Sequence, residues 1–316
     1  MTTVAQSINL NITSTAALRA WVAAMSAAFS SIGLVKTGDT GQIDATTISY
    51  TGGSNSNNGY EIWRMNDSLQ ATKPVFIKVE YGSGSSYIGA NCPIMWFTAG
   101  TATDGAGNIT GLLTTRRALY AGFITSTVQP SIWAGDGTYA MMLLGYANGG
   151  SGSNSAPQIF FVIDRTRNAD GTINGDGLVM WRTSYGGDVG YTQGYFNASR
   201  ADAQFGSTSS QPTTVWCENY LIFDRQVAYE RTRYSVALAP GHDWGNAVDG
   251  ADITVFPMLV QAGKQTFVHA MLVGFNADFT QAVPISTTVL GSAHTYIPIK
   301  FTPTGLTNHC ALLRWE

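Results

Sequence analysis

From Tyr60 onward the chain is cut into short runs of β-branched, aliphatic and aromatic residues, each closed by residues that favour turns. PVFIKVEYG, CPIMWFTAGT, AMMLLGYANG, QIFFVIDRTR, GLVMWRTSYG, TVWCENYLIF, ITVFPMLVQAG, FVHAMLVGFN and IPIKFTP succeed one another in this way. Such segments read as strands. In VFIKVEY, Val75, Ile77 and Val79 fall on one face and Phe76, Lys78 and Glu80 on the other, the alternation of a half-buried strand. TDGAGN (103–108) and NADGTINGDG (168–177) carry the Asp-Gly and Asn-Gly pairs that permit positive φ in tight turns, so the neighbouring strands are expected to pair as antiparallel hairpins. There is no regular βαβ alternation and no repeat of fixed period. The expected class is mainly β: an antiparallel β-sandwich or jelly-roll-like body.

Ahead of these runs, STAALRAWVAAMSAAFSSIG (14–33) reads as a single N-terminal amphipathic helix. Leu18, Trp21, Val22, Met25, Phe29 and Ile32 recur at three- and four-residue spacing and form one stripe. Ser14 is placed to cap the first turn and Gly33 to end the last one. The opposite face is Ala and Ser with only Arg19 charged, a poor surface to leave wholly in water, so packing on two sides is expected. The following VKTGDTGQIDATTISYTGGSNSNNGY reads as loop, and the change of composition near Tyr60 suggests a boundary.

Hydrophobic residues make up 44% of the 316, which excludes a disordered chain, and charged residues only 12%, against roughly 25% in ordinary soluble proteins. The surface must therefore be covered by Ser, Thr, Asn, Gln and Gly or by partners. A net charge of −3 without blocks of one sign provides no funnel for nucleic acid, so none is expected as a partner. Cys92, Cys217 and Cys310 are distant and odd in number, which points to buried thiols rather than a disulfide framework. MTTVAQSINLNITS lacks the basic and apolar stretches of a secretory leader, and no apolar run reaches the length of a membrane-spanning helix; neither cleaved export nor a spanning segment is expected.

Candidate chemistry is sparse. Asn168, Asp170, Asn174 and Asp176 offer oxygen ligands in a turning segment, but their spacing departs from a calcium loop and the closing Glu is missing; a plain hairpin turn is the expectation. His242, His269, His294 and His309 form no metal-binding pair. GHDWG (241–245) lacks an accompanying nucleophile. Glu61, Glu80, Asp164, Glu218 and Asp224 are carboxylates that a fold would have to bring together for glycoside hydrolysis. Trp96, Trp133, Trp181 and Trp216 lie inside apolar runs and are expected in the core. Arg225, Arg231 and Arg233 alternate with Asp224 and Glu230, a mixed-sign solvated stretch. No catalytic, metal or cofactor site is assigned.

The helix with its RAWVAAMSAAFSSIGLVKTGDTGQI continuation, and the succession YEIW, NDSLQAT and KVEYGSG within YEIWRMNDSLQATKPVFIKVEYGSG, resemble the opening of virion structural proteins of tailed bacteriophages, fibre-like and tail- or neck-associated. The resemblance spans residues 14–89. It implies a noncatalytic component of the particle, assembled in the host cytoplasm, whose partners are copies of itself and other virion proteins. On that expectation residues 1–59, with the stripe Leu18, Trp21, Val22, Met25, Phe29 and Ile32, serve attachment and oligomerisation, and residues 60–316 form the antiparallel β body. An alternative is an adhesin binding a host-surface glycan through Tyr191, Tyr195 and Phe196 in GGDVGYTQGYFNASR. A further alternative is a polysaccharide depolymerase, although such enzymes are commonly repetitive β-helices.

Overall fold

In the computed structural model, the structure describes residues 1–9, 12–52, 56–86, 89–120, 128–144, 159–168, 170–182, 196–200, 255–261, 266–275, 285–289, 292–300 and 309–315. Across them the protein is mainly β, with two antiparallel sheets and one α-helix. The smaller sheet runs in the order β2 (Val35–Lys36), β3 (Ser56–Arg64), β4 (Phe76–Ser86), β5 (Gly89–Thr103) and β6 (Ile109–Tyr120). The larger contains β1 (Thr2–Asn9), β7 (Val128–Gly135), β8 (Tyr139–Leu144), β9 (Ile159–Arg167), β13 (Thr266–Phe275), β16 (His309–Arg314), β15 (Ser292–Lys300) and β14 (Ile285–Val289) in that order. β10 (Ile173–Arg182) also joins β9, β11 (Phe196–Arg200) joins β10, and β12 (Val255–Gln261) joins β13.

Both Gly-rich turns close antiparallel hairpins, β5–β6 at TDGAGN and β9–β10 at NADGTINGDG. In β4 the alternation of VFIKVEY is realised: Val75, Ile77 and Val79 are buried, while Phe76 and Lys78 are half-exposed. Glu80, on their side, is nonetheless buried, because Asn57 and Arg116 cover it.

Helix α1 (Thr15–Ser31) begins and ends where its caps dictate. The Ser14 side chain accepts from the Ala17 amide at 3.2 Å. At the other end Leu34 N–H donates to the Phe29 carbonyl and Gly33 N–H to that of Ser30, the paired bonds of a Schellman turn, with Gly33 at φ +91°.

The apolar stripe of α1 is the wedge between the sheets. The Phe29 ring lies 5.2 Å from Trp63 of β3 on one side, and 5.0 Å from Trp133 of β7 and 5.7 Å from Phe161 of β9 on the other. Trp21 meets Tyr81 of β4 edge-on at 5.3 Å. Where the helix ends it abuts β7 backbone to backbone; a Cβ at Gly135 would stand 2.0 Å from the Ile32 carbonyl oxygen.

Two expectations are corrected here. Leu18, Trp21, Val22, Met25, Phe29 and Ile32 are not an attachment surface, because all six are buried in the chain's own core. The face that α1 turns outward is the small-residue one, with Ala16, Ala20, Ala23, Ala27 and Ser30 exposed. Nor do residues 1–59 form a separate segment. β1 pairs with β7 along its whole length, α1 fills the core, and β3 runs through the supposed boundary at Tyr60. The composition changes there because a solvated loop gives way to buried strand, not because one unit ends.

Candidate functional site

Among the described residues, a shallow cleft of about 430 Å³ opens at the short edge of the smaller sheet. Its walls come from β2 and the turn after it (Lys36, Thr37, Asp39), from the ends of β3 and β4 (Arg64, Phe76) and from the end of β5 (Thr103). Register brings them together: Val35 faces Arg64 and Arg64 faces Phe76 in successive ladders.

The charged groups of the cleft are tied into the fold. Asp39 accepts from Thr37 Oγ1 at 2.6 Å and Thr103 Oγ1 at 2.5 Å, joining the turn to the β5–β6 hairpin. Burial works against its carboxylate, but donation from Thr103, Thr37 and the Gly107 amide outweighs it and holds the pKa below the ordinary aspartate value. Lys36 Nζ donates to Glu61 Oε1 at 2.8 Å and to the Ile43 carbonyl at 3.3 Å. Arg64 Nη1 donates to the Met65 carbonyl at 3.0 Å. The cleft offers the half-buried Phe76 ring, the Thr37 and Thr103 hydroxyls, and two cations, Lys36 and Arg64, against the one carboxylate of Asp39.

Four carboxylates elsewhere act as struts. Glu61, on the core face of β3, accepts from Ser26 of α1 (2.5 Å), Lys36 of β2 (2.8 Å) and the Tyr81 hydroxyl of β4 (2.7 Å). Burial, and then the adjacent Glu61 carboxylate, push the Tyr81 phenol well above its ordinary pKa. Glu80 accepts from Asn57 and Arg116, both at 2.7 Å, and the Arg116 guanidinium lies 4.0 Å above the Trp96 ring. Asp67 takes a bidentate pair of bonds from the fully buried Arg165 of β9, at 2.7 and 2.8 Å, and the same guanidinium donates to the Lys73 carbonyl. Asp136, in the β7–β8 turn, accepts from Arg314 of β16 at 3.0 Å, and Tyr139 donates to the Arg314 carbonyl.

The Asn168–Asp176 segment is a hairpin turn. Asp170 Oδ1 accepts from the Thr172 amide (2.9 Å) and hydroxyl (2.6 Å), which lowers its pKa, while Asn174 and Asp176 continue into β10. Asp44 with Thr46 and Asp136 with Thr138 repeat the same closure. The Asp170 turn was expected from its Asp-Gly pair, while the recurrence of Asp-x-Thr in the sequence was the signal for the turns at Asp44 and Asp136. Among the described residues no group of three or more His, Cys, Asp or Glu side chains is disposed to hold a metal ion.

Of the proposed glycan-facing residues, Tyr191 and Tyr195 lie outside the described residues; Phe196 begins β11, opposite Arg182 of β10. Glu218, Asp224, His242 and the Arg225–Arg233 stretch also lie outside them. Glu61 and Glu80 are described, but they belong to separate hydrogen-bond clusters. Trp96 and Trp133 are in the core as expected. Lys36, Asp39, Arg64 and Thr103 were not singled out from sequence, because only the ladder register gathers them. No described helix is long and apolar enough to cross a membrane. No protein family, curated protein or solved structure matches the chain.

Proposed function

We propose that the chain is a noncatalytic structural component of a tailed-phage particle, working as a homo-oligomer. The observation that carries this reading is the use made of charge. Glu61, Glu80, Asp67 and Asp136 each tie two or more elements together, so ionisable groups in a chain poor in them are spent on holding the body rigid. The resemblance of residues 14–89 to virion structural proteins supports it. So does the outward face of α1, a smooth run of alanines suited to close contact with a neighbour.

Light scattering on the purified protein, with peptide mapping of intact particles of the phage that encodes it, tests the proposal. A defined oligomer and its peptides in the particle are expected. A stable monomer absent from particles overturns it, and release of reducing ends from capsule or lipopolysaccharide would put an enzyme in its place.

A further inference from the structure

The edges of the two sheets differ in one respect. Most described edge strands carry a device that discourages pairing with another chain. β2 is two residues long and includes Lys36. β6 is broken by register shifts and carries Arg116 and Arg117. β11 ends on Arg200. β12 contains Pro257 and two register shifts.

β1 has none of these. Its sequence TTVAQSIN holds no charge, proline or glycine. It pairs with β7 in one unbroken register from Thr2 opposite Gly135 to Asn9 opposite Val128, and among the described strands it has no partner on its other edge. Ile8 is buried and Val4 packs on the core, so the strand is held in place, while Ala5 and Ser7 are exposed. Helix α1 lies against β1, and the residues it leaves exposed include the small side chains Ala16, Ala20, Ala23 and Ala27.

We infer that β1 is the self-association edge: a second copy of this chain adds its own β1 antiparallel across a two-fold axis, making one continuous sheet through both protomers. The inference rests on the homo-oligomer reading above and names its surface. A second copy is the fitting occupant because every cross-strand pair that a two-fold can create within TTVAQSIN is uncharged, so self-pairing meets no repulsion in any register. Eight residues give about 27 Å of ladder. The other undefended edge, β14, offers five residues, Ile285–Val289.

Hydrogen exchange and sedimentation velocity of the full chain over a range of concentration test this, with Ala5→Lys as the variant and Ala5→Ser as its control. Ala5 is exposed, and unchanged near-ultraviolet circular dichroism will establish that the variants fold. The expected result is that β1 amides gain protection as concentration rises, that Ala5→Lys weakens association at least tenfold, and that Ala5→Ser leaves it unchanged. An oligomer that forms without protecting β1 and tolerates Ala5→Lys overturns the inference and leaves the structural-component reading standing. Joint protection of β1 and β14 means head-to-tail pairing and overturns the two-fold. A wild-type chain that stays monomeric at every concentration removes both the inference and the homo-oligomer.

Discussion

Arg165 brings a full positive charge to a site closed to water, and the fold tolerates it because Asp67 meets the guanidinium fork on two oxygens while the Lys73 carbonyl takes a third bond. Such pairs add little to stability relative to well-packed apolar residues, but breaking one strands a buried charge. Asp67→Ala is therefore expected to destabilise the protein by about 3–5 kcal/mol, read by urea unfolding. The double variant Asp67→Ala with Arg165→Met should recover a large part of that loss. If the double variant is as unstable as the sum of the singles, the two residues do not act as a pair. Asp39 gives a pH counterpart. Its pKa is lower folded than unfolded, so its contribution is fully present above the ordinary aspartate value of 3.8 and is lost as pH falls through the lower folded value. Asp39→Asn should lower stability at neutral pH and flatten the acid limb of the stability curve. An acid limb identical to wild type would show that the Thr37 and Thr103 bonds carry no net weight.

At the scale of elements, α1 tests how far local chemistry reaches. Ser14→Ala removes one capping acceptor and is expected to cost about 1 kcal/mol. Gly33→Ala should cost more, because the residue sits at φ +91° and its new Cβ would stand 2.9 Å from the Gly137 amide nitrogen. Thermal melts that rank the two the other way would mean the helix end can relax away from the β7–β8 turn. These caps, the helix between them and the β4 alternation were legible because each is set by residues a few positions apart. β1 was not: TTVAQSIN mixes Val4 and Ile8 with Thr, Ser and Gln, and its pairing with β7 spans more than a hundred residues of chain. The cleft was hidden for the same reason, since Lys36, Arg64 and Thr103 meet only through register. The stripe on α1 was read correctly as apolar, yet periodicity cannot say whether a stripe faces the chain's own sheets or another subunit.

At the scale of the whole molecule, a core cluster of the described residues draws on both sheets, and α1 supplies its centre. Phe29 touches aromatic rings of the smaller sheet on one side and of the larger on the other, so neither sheet has a complete inner face without residues that precede Tyr60. Phe29→Ala should cost about 3–5 kcal/mol, the range for emptying a buried phenylalanine site. The more searching experiment is to express residues 60–316 alone. That fragment keeps most strands but loses α1, β1, β2 and the first four residues of β3, which uncovers Trp63, Tyr81, Trp133 and Phe161. A patch that large is a site of aggregation rather than a stable surface. The fragment is expected to bind a hydrophobic dye, to lose the near-ultraviolet signal of its tryptophans and to fail to sediment as a single species. Supplying residues 1–59 as a separate peptide should restore part of that signal, since the contacts it makes are extensive and apolar. If the fragment instead folds alone, with the tryptophan environment of the full chain, then the helix decorates a body that is already complete and the shared core proposed for the two sheets is wrong.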